Sequence, residues 1–313
     1  MTALARLGHV ALRTPDLEGS LHFFDDILGL DVVERDETVA YLRAWGDFEH
    51  HTVALISADE ARIDHAGWRT RAPEDVDALG ARLREQGVEV EEVPAGHEAG
   101  QGAALRFRTP GGLPYEIYHE VEKRPAPAGR RPALKTNSGR VWSHGVSPRR
   151  LDHINFVTPE VAAEEAWSQQ MLGFSTRERA LGADGSVHAA WLAVSALAHD
   201  LAIGRGPVRG SRGLHHVAFY VDNASDVLRA AELFIEHGLE PDHGPGRHAI
   251  SQAVCLYVRD PASGHRVEIY SGSYVVLDPD WEPVDWTAEE YRQWWGAQPV
   301  RQADSPIDVV TPC

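Results

Sequence analysis

The chain has 313 residues, 43% hydrophobic and 25% charged, enough apolar material for a sizeable core and, by length, about two domains. Thirty Lys and Arg stand against 47 Asp and Glu, a net charge of −17, which argues against nucleic acid and against an anionic membrane as partners. Cys255 and Cys313 make neither a disulfide framework nor a cysteine metal site, and MTALARLGHVALRTPD contains no long apolar stretch, so no signal peptide or membrane span is expected and a reducing cytoplasm is the expected location.

Along the chain, LGHVALRTPDLEGSLHFFDDILGLDVVER from Leu7 reads as a strand, a Thr-Pro turn, an amphipathic helix, a Leu-Gly stop and a second strand. IDHAGWRTRAPEDVDALGARLREQGVEV from Ile63 repeats that pattern. EKRPAPAGRRPALKTNSGRVW, Glu122 to Trp142, is rich in Pro, Gly and basic residues and reads as an extended linker. LDHINFVTPEVAAEEAWSQQMLGFSTRER from Leu151 then aligns with the first segment without a gap, placing His9 on His153, Pro15 on Pro159 and Gly29 on Gly173. LHHVAFYVDNASDVLRAAELFIEHGLEP from Leu214 aligns with the second, placing His65 on His216. VSALAHDLAIG and AVCLYVRDPASGHRVEIYSG read as further strands. The repetition predicts an α+β fold of four βαβββ modules paired into two domains. Their expected bounds are 1–122 and 149–273, with a linker over 123–148 and a tail over 274–313. In the tail, Thr287 and Glu290 have capping-box spacing, which predicts a short helix whose tryptophans pack on the body or on a partner subunit.

The four strand openings L-G-H-V, I-D-H-A, L-D-H-I and L-H-H-V all carry His third. Adjacent strand residues face opposite sides, so His216 holds the repeated position and His215 is expected on the other face. His153 and His216 open equivalent strands, and Glu268 lies late in the last module, in HRVEIYSG. Modules paired about a pseudo-twofold axis would converge two imidazoles and a carboxylate on one concave sheet, the facial triad suited to Fe(II). A strand histidine is also a common core or surface residue, and 17 histidines make coincidence cheap, so spacing alone leaves the metal and packing readings side by side. The glutamate in an apolar strand is less ordinary, because a buried carboxylate needs a partner or a metal.

LDHINF, LHHVAFYV, GPGRH and LYVRDPASGHRVEIY together resemble, in order and spacing and over nearly the whole chain, the type I extradiol ring-cleavage dioxygenases of the vicinal oxygen chelate superfamily. GPGRH and the tail EEYRQWWG are most similar to the homoprotocatechuate and catechol 2,3-dioxygenases among them. The resemblance implies glyoxalase/bleomycin-resistance-like domains with open, barrel-like sheets. It implies extradiol cleavage of a substituted catechol by O2, inserting both oxygen atoms to give a 2-hydroxymuconic semialdehyde-type product. 3,4-Dihydroxyphenylacetate is one candidate substrate, and a homotetramer the expected assembly. His153, His216 and Glu268 would then hold Fe(II), or Mn(II) as in some relatives. His199 would be the acid–base residue, and His248 and Tyr257 would hydrogen-bond the catecholate. Asn155 and Trp191 would line the dioxygen and substrate pocket, and Arg292 would reach a substrate carboxylate.

His243 stands where relatives that take a carboxylated catechol carry a second arginine, which weakens bidentate recognition and shifts the expectation toward a smaller, neutral or differently placed substituent. In the first half, His9, His65 and Glu116 keep the metal-equivalent positions, and His51 and His97 fall near the equivalents of His199 and His248. Ala11 replaces Asn155 and Arg106 replaces Tyr257, so the degenerate, metal-free copy that the resemblance implies is expected there, an arginine disfavouring a second cation, with a second metal site at His9, His65 and Glu116 as the alternative. The rival readings are another metal enzyme of the superfamily, an isomerase or thiol transferase, and a non-catalytic aromatic-binding protein.

Overall fold

The computed structural model describes residues 2–124, 132–133, 143–206, 210–287, 289–291, 293–296 and 311–313. Most of the expected linker and Arg292 lie outside the described residues. The first module is β1 (Leu4–Thr14), α1 (Leu17–Leu21), β2 (Asp31–Arg35), β3 (Val39–Arg43) and β4 (Val53–Ser57). Asp16 caps α1, accepting from the Gly19 N–H at 2.9 Å and so pairing one of the donors that a helix start leaves open. The helix continues as a π-helical turn over His22–Ile27, closed by Leu28 N–H to Phe23 O at 2.8 Å, and ends at Gly29, whose φ of 85° suits a residue without a Cβ. The second module is β5 (Arg62–Thr70), α2 (Glu74–Glu85), β6 (Val90–Val93), β7 (Ala104–Arg108) and β8 (Pro114–Tyr118). The third is β9 (Arg150–Val157), α3 (Val161–Trp167), β10 (Ser175–Leu181), β11 (Val187–Ala193) and β12 (Leu201–Gly204). The fourth is β13 (Gly213–Tyr220), α4 (Ala224–Glu236), β14 (His243–His248), β15 (Val254–Arg259) and β16 (Arg266–Ser271).

The strands form two open sheets. One has the order β2-β3-β4-β1-β5-β8-β7-β6. The other has the order β10-β11-β12-β9-β13-β16-β15-β14, extended at its two edges by tail strands β17 (Val284–Thr287) and β18 (Gln293–Gly296). Each sheet is thus two modules joined at an antiparallel centre, β1 against β5 and β9 against β13. Helix residues Phe23, Phe24, Leu79, Leu83, Val227 and Phe234 join the sheets in one continuous apolar core. Aromatic contacts tie the two sheets together within it: Trp68 meets Phe174 edge-on at 5.0 Å, and Tyr115 lies 6.0 Å from Phe156. Among the described residues, no helix is long and apolar enough to cross a membrane.

The two central ladders repeat one register. His9 faces Gly67 and His65 faces Ala11 across β1–β5; His153 faces Ala218 and His216 faces Asn155 across β9–β13. At all four places the ladder slips by one residue just before the histidine, leaving Gly8, Asp64, Asp152 and His215 as the extra residues of β-bulges. A bulge sets two residues against one and re-aims the side chains beside it. It also corrects one expectation: His215 is not turned away from His216, because the bulge breaks the alternation and brings their Nδ1 atoms to 2.7 Å.

The tail departs from expectation as well. Thr287 N and Oγ1 both donate to Glu290 Oε2 at 2.9 Å, and Tyr291 N–H bonds Thr287 O at 3.1 Å. The described residues beyond this single turn form β18 beside β14 rather than a helix, since pairing with an open sheet edge supplies the backbone bonds a helix would have made. Trp281 stacks on Tyr274 at 5.5 Å and Trp286 Nε1 donates to Glu178 at 2.7 Å, whereas Trp294 and Trp295 are 76% and 45% exposed.

Candidate active site

His153 on β9, His216 on β13 and Glu268 on β16 lie on adjacent strands, and the pairing of Ala218 with both His153 and Glu268 brings the three to one place. His153 Nε2 is 3.2 Å from His216 Nε2 and 3.1 Å from Glu268 Oε2; His216 Nε2 is 3.1 Å from the same oxygen. All three side chains are buried, and Glu268 Oε1 has no hydrogen-bond partner. Three donors about 2.1 Å from one ion at right angles stand about 3 Å apart, so the spacing and the two-imidazole, one-carboxylate set fit a facial metal triad.

The bulge residues supply the partners behind the ligand atoms. His153 Nδ1 donates to Asp152 Oδ1 at 3.0 Å, and His216 Nδ1 meets His215, whose Nε2 receives Arg266 Nη1 at 3.0 Å. Such outer contacts fix the orientation of a ligating ring. Burial alone would lower the His153 pKa, but hydrogen bonds to Asp152 and Glu268 raise it to about 9. Burial, only partly offset by Glu268, lowers His216 to about 4. Against burial, His216 and His153 hold Glu268 well below the usual carboxylate range.

Five further predicted residues gather around this cluster. The His199 ring lies 4.1 Å from that of His153, buried, with no hydrogen-bond partner on Nδ1. Burial and then the neighbouring His153 push its pKa well down, leaving a neutral imidazole. His248, at the end of β14, has Nε2 2.9 Å from the Tyr257 hydroxyl and 3.5 Å from Glu268 Oε1. Tyr257 pairs directly across from Glu268, and His243 sits beside it with ring centres 5.8 Å apart. Asn155 faces His216 across the ladder, its buried Oδ1 unpaired. Trp191 is placed differently, on β11 with its ring 6.1 Å from Tyr291 of the tail. Tyr270 was missed in the sequence: two residues beyond Glu268 on the same strand face, its ring lies 4.9 Å from His153. The same period-two reading that selects Glu268 in VEIYS would have found it.

In the first sheet His9, His65 and Glu116 also converge. His51 lies against His9 with ring centres 5.1 Å apart, but His97 is exposed and its neighbour Glu98 is the group turned inward.

A family model for the Glyoxalase/Bleomycin resistance protein/Dioxygenase superfamily matches residues 6–117 and 150–269. The chain is 46% identical, over the whole of both sequences, to a manganese-dependent 2,3-dihydroxybiphenyl 1,2-dioxygenase of Geobacillus genomosp. 3. It is 35% identical to a metapyrocatechase of Geobacillus stearothermophilus, over 92% of this chain and 87% of that one. The substrate complex of homoprotocatechuate 2,3-dioxygenase from Brevibacterium fuscum superposes with a TM-score of 0.85 at 32% identity, over 96% of this chain and 92% of that one. The chain belongs to this superfamily, and within it to the extradiol ring-cleaving dioxygenases.

Proposed function

We propose that the protein opens a catechol ring beside its diol with O2, at a divalent Fe(II) or Mn(II) ion held by His153, His216 and Glu268. The observation that carries the reading is the facial spacing of three buried donors with His199, His248 and Tyr257 gathered beside them. An ion held by those three residues would supply Lewis acidity toward the diol hydroxyls and a redox centre for the reaction with O2. His199, neutral and free on Nδ1, takes and returns a proton beside His153 as general acid–base. His248 and Tyr257 offer hydrogen bonds to the substrate oxygens, and Asn155 lines the pocket. Trp191, whose ring lies 6.1 Å from Tyr291 of the tail, would border the outer end of the substrate, and the family resemblance assigns Arg292, outside the described residues, to a substrate carboxylate. His243, in place of a second arginine, favours a catechol with an apolar substituent, in keeping with the relative named for 2,3-dihydroxybiphenyl. The same reading makes 1–122 and 149–273 the two domains, with 274–313 a tail over the second, and the enzyme a cytoplasmic homotetramer.

Protein loaded anaerobically with iron, then given air and catechol, 4-methylcatechol, 2,3-dihydroxybiphenyl or 3,4-dihydroxyphenylacetate, tests this directly. Oxygen uptake matched by a yellow ring-opened product is expected, with the apolar catechols ahead of the carboxylated one. No uptake with any catechol, on protein shown to hold iron, removes the reading and brings the isomerase forward.

A further inference from the structure

The first sheet holds a second set of donors for which ring cleavage has no use. His9 on β1, His65 on β5 and Glu116 on β8 occupy the register positions of His153, His216 and Glu268, and Glu98 enters as a fourth donor from the loop between β6 and β7. All four are buried, and one ligand atom from each lies within 4.8 Å of all the others. His9 Nε2 is 2.9 Å from His65 Nε2, 3.5 Å from Glu98 Oε2 and 3.6 Å from Glu116 Oε1. Donors about 2.1 Å from one ion stand about 3 Å apart at right angles and about 3.4 Å apart in a tetrahedron, so these spacings fit a single ion.

Arg106, which stands in the place of Tyr257, does not fill the centre of this cluster. Its Nε donates to Glu116 Oε2 at 2.6 Å and its Nη2 donates to Glu98 Oε1. Each carboxylate therefore gives one oxygen to the arginine and turns the other toward His9. Gln101 Nε2 donates to that inner oxygen of Glu116 at 2.5 Å. The inner oxygen of Glu98 has no hydrogen-bond partner, although it is buried and only 3.4 Å from His51 Nε2, which has none either. An unpaired buried carboxylate oxygen is costly unless something meets it. The surroundings are shaped for the imidazoles: a Cβ on Gly67 would come within 2.1 Å of His9 Cε1, and Asp64 accepts from His65 Nδ1 at 2.8 Å, aiming Nε2 inward.

We propose that His9, His65, Glu98 and Glu116 bind a second divalent metal ion, structural rather than catalytic. Four protein donors, with Arg106 over the outer face, leave no open position for a catechol or O2, as in closed structural sites. The nitrogen and oxygen donors suit Zn(II), Mn(II) or Fe(II). The rival occupant is a proton on His65, which with Arg106 would balance the two carboxylates.

Metal content distinguishes them. Chelator-stripped protein is dialysed against Mn(II) or Zn(II), and metal per chain is counted by mass spectrometry for the wild type, Glu98→Gln, Glu268→Gln and the double variant. Two, one, one and no equivalents are expected, with ring cleavage retained in Glu98→Gln. A single wild-type equivalent that survives Glu98→Gln and is lost in Glu268→Gln overturns the second site and leaves the active-site reading standing. A single equivalent with the opposite pattern supports the second site and removes the catalytic one. Should Glu98→Gln fail to fold, Co(II) titration of the wild type decides. A second equivalent whose visible absorption ignores added catechol is expected, and one equivalent that responds fully to catechol overturns the inference.

Discussion

His199 shows how little a single side chain needs to become chemically useful. It is buried against His153, kept neutral by that burial, and left without a partner on Nδ1. A His199→Phe change keeps a ring in that space and removes the proton carrier. Turnover should fall by about 100-fold or more while metal per chain stays the same; steady-state rates beside a metal count check it, and full turnover would remove His199 from the chemistry. At this scale much of the site was legible. The four repeated histidines and both strand glutamates stood out because the repeat singled out one position in each module. Glu98 did not, since it lies in a loop with no periodicity, next to His97, the residue that the repeat places near the equivalent of His248. Asp152 and Asp64 were written directly before their histidines, yet adjacent strand residues should face apart, so no pattern rule could pair them.

The elements explain that failure. A bulge is a property of two strands together; one strand's own sequence carries no mark of the residue its partner skips. Module order and the helix starts were readable from alternation, Thr-Pro turns and Gly stops, whereas the four bulges that re-aim the histidines were not. The tail failed for a related reason: Thr287 and Glu290 make the bonds of a helix start, but the adjoining edge of β14 takes the strand that follows. Glu178 is the anchor of this region. It accepts from Tyr274 Oη at 2.6 Å, Trp286 Nε1 at 2.7 Å and the Ser251 N–H at 2.8 Å, tying the tail to the turn that follows His248. Glu178→Ala should cost about 3 kcal/mol and lower Tm by several degrees, since one buried and two part-buried donors lose their acceptor. A thermal scan checks this, and an unchanged Tm would show that the tail is held by other contacts.

For the whole molecule, the exposed Val275, Leu277, Trp294 and Trp295 place a set of large apolar groups on the tail. Large apolar groups left in water favour association. Sedimentation velocity should report a tetramer, and Trp294→Ser together with Trp295→Ser should shift it toward smaller species; a monomer in the unmodified protein would instead make the tail a lid on its own site. The shared register carries a historical meaning too. The first segment of each half aligns without a gap, and the two sheets slip by one residue at the same two places, beside each metal-position histidine. Such agreement is what successive gene duplications leave behind: a module doubled into a sheet, and the sheet doubled into this chain. Copies made that way begin with equal sites, so each present difference is a change made since. One such change sits on the rung facing the carboxylate, Arg106 opposite Glu116 in one sheet and Tyr257 opposite Glu268 in the other. The ancestor's metal chemistry would then have parted into two trades at that rung, one copy closed around its ion to hold the fold and the other kept open to work.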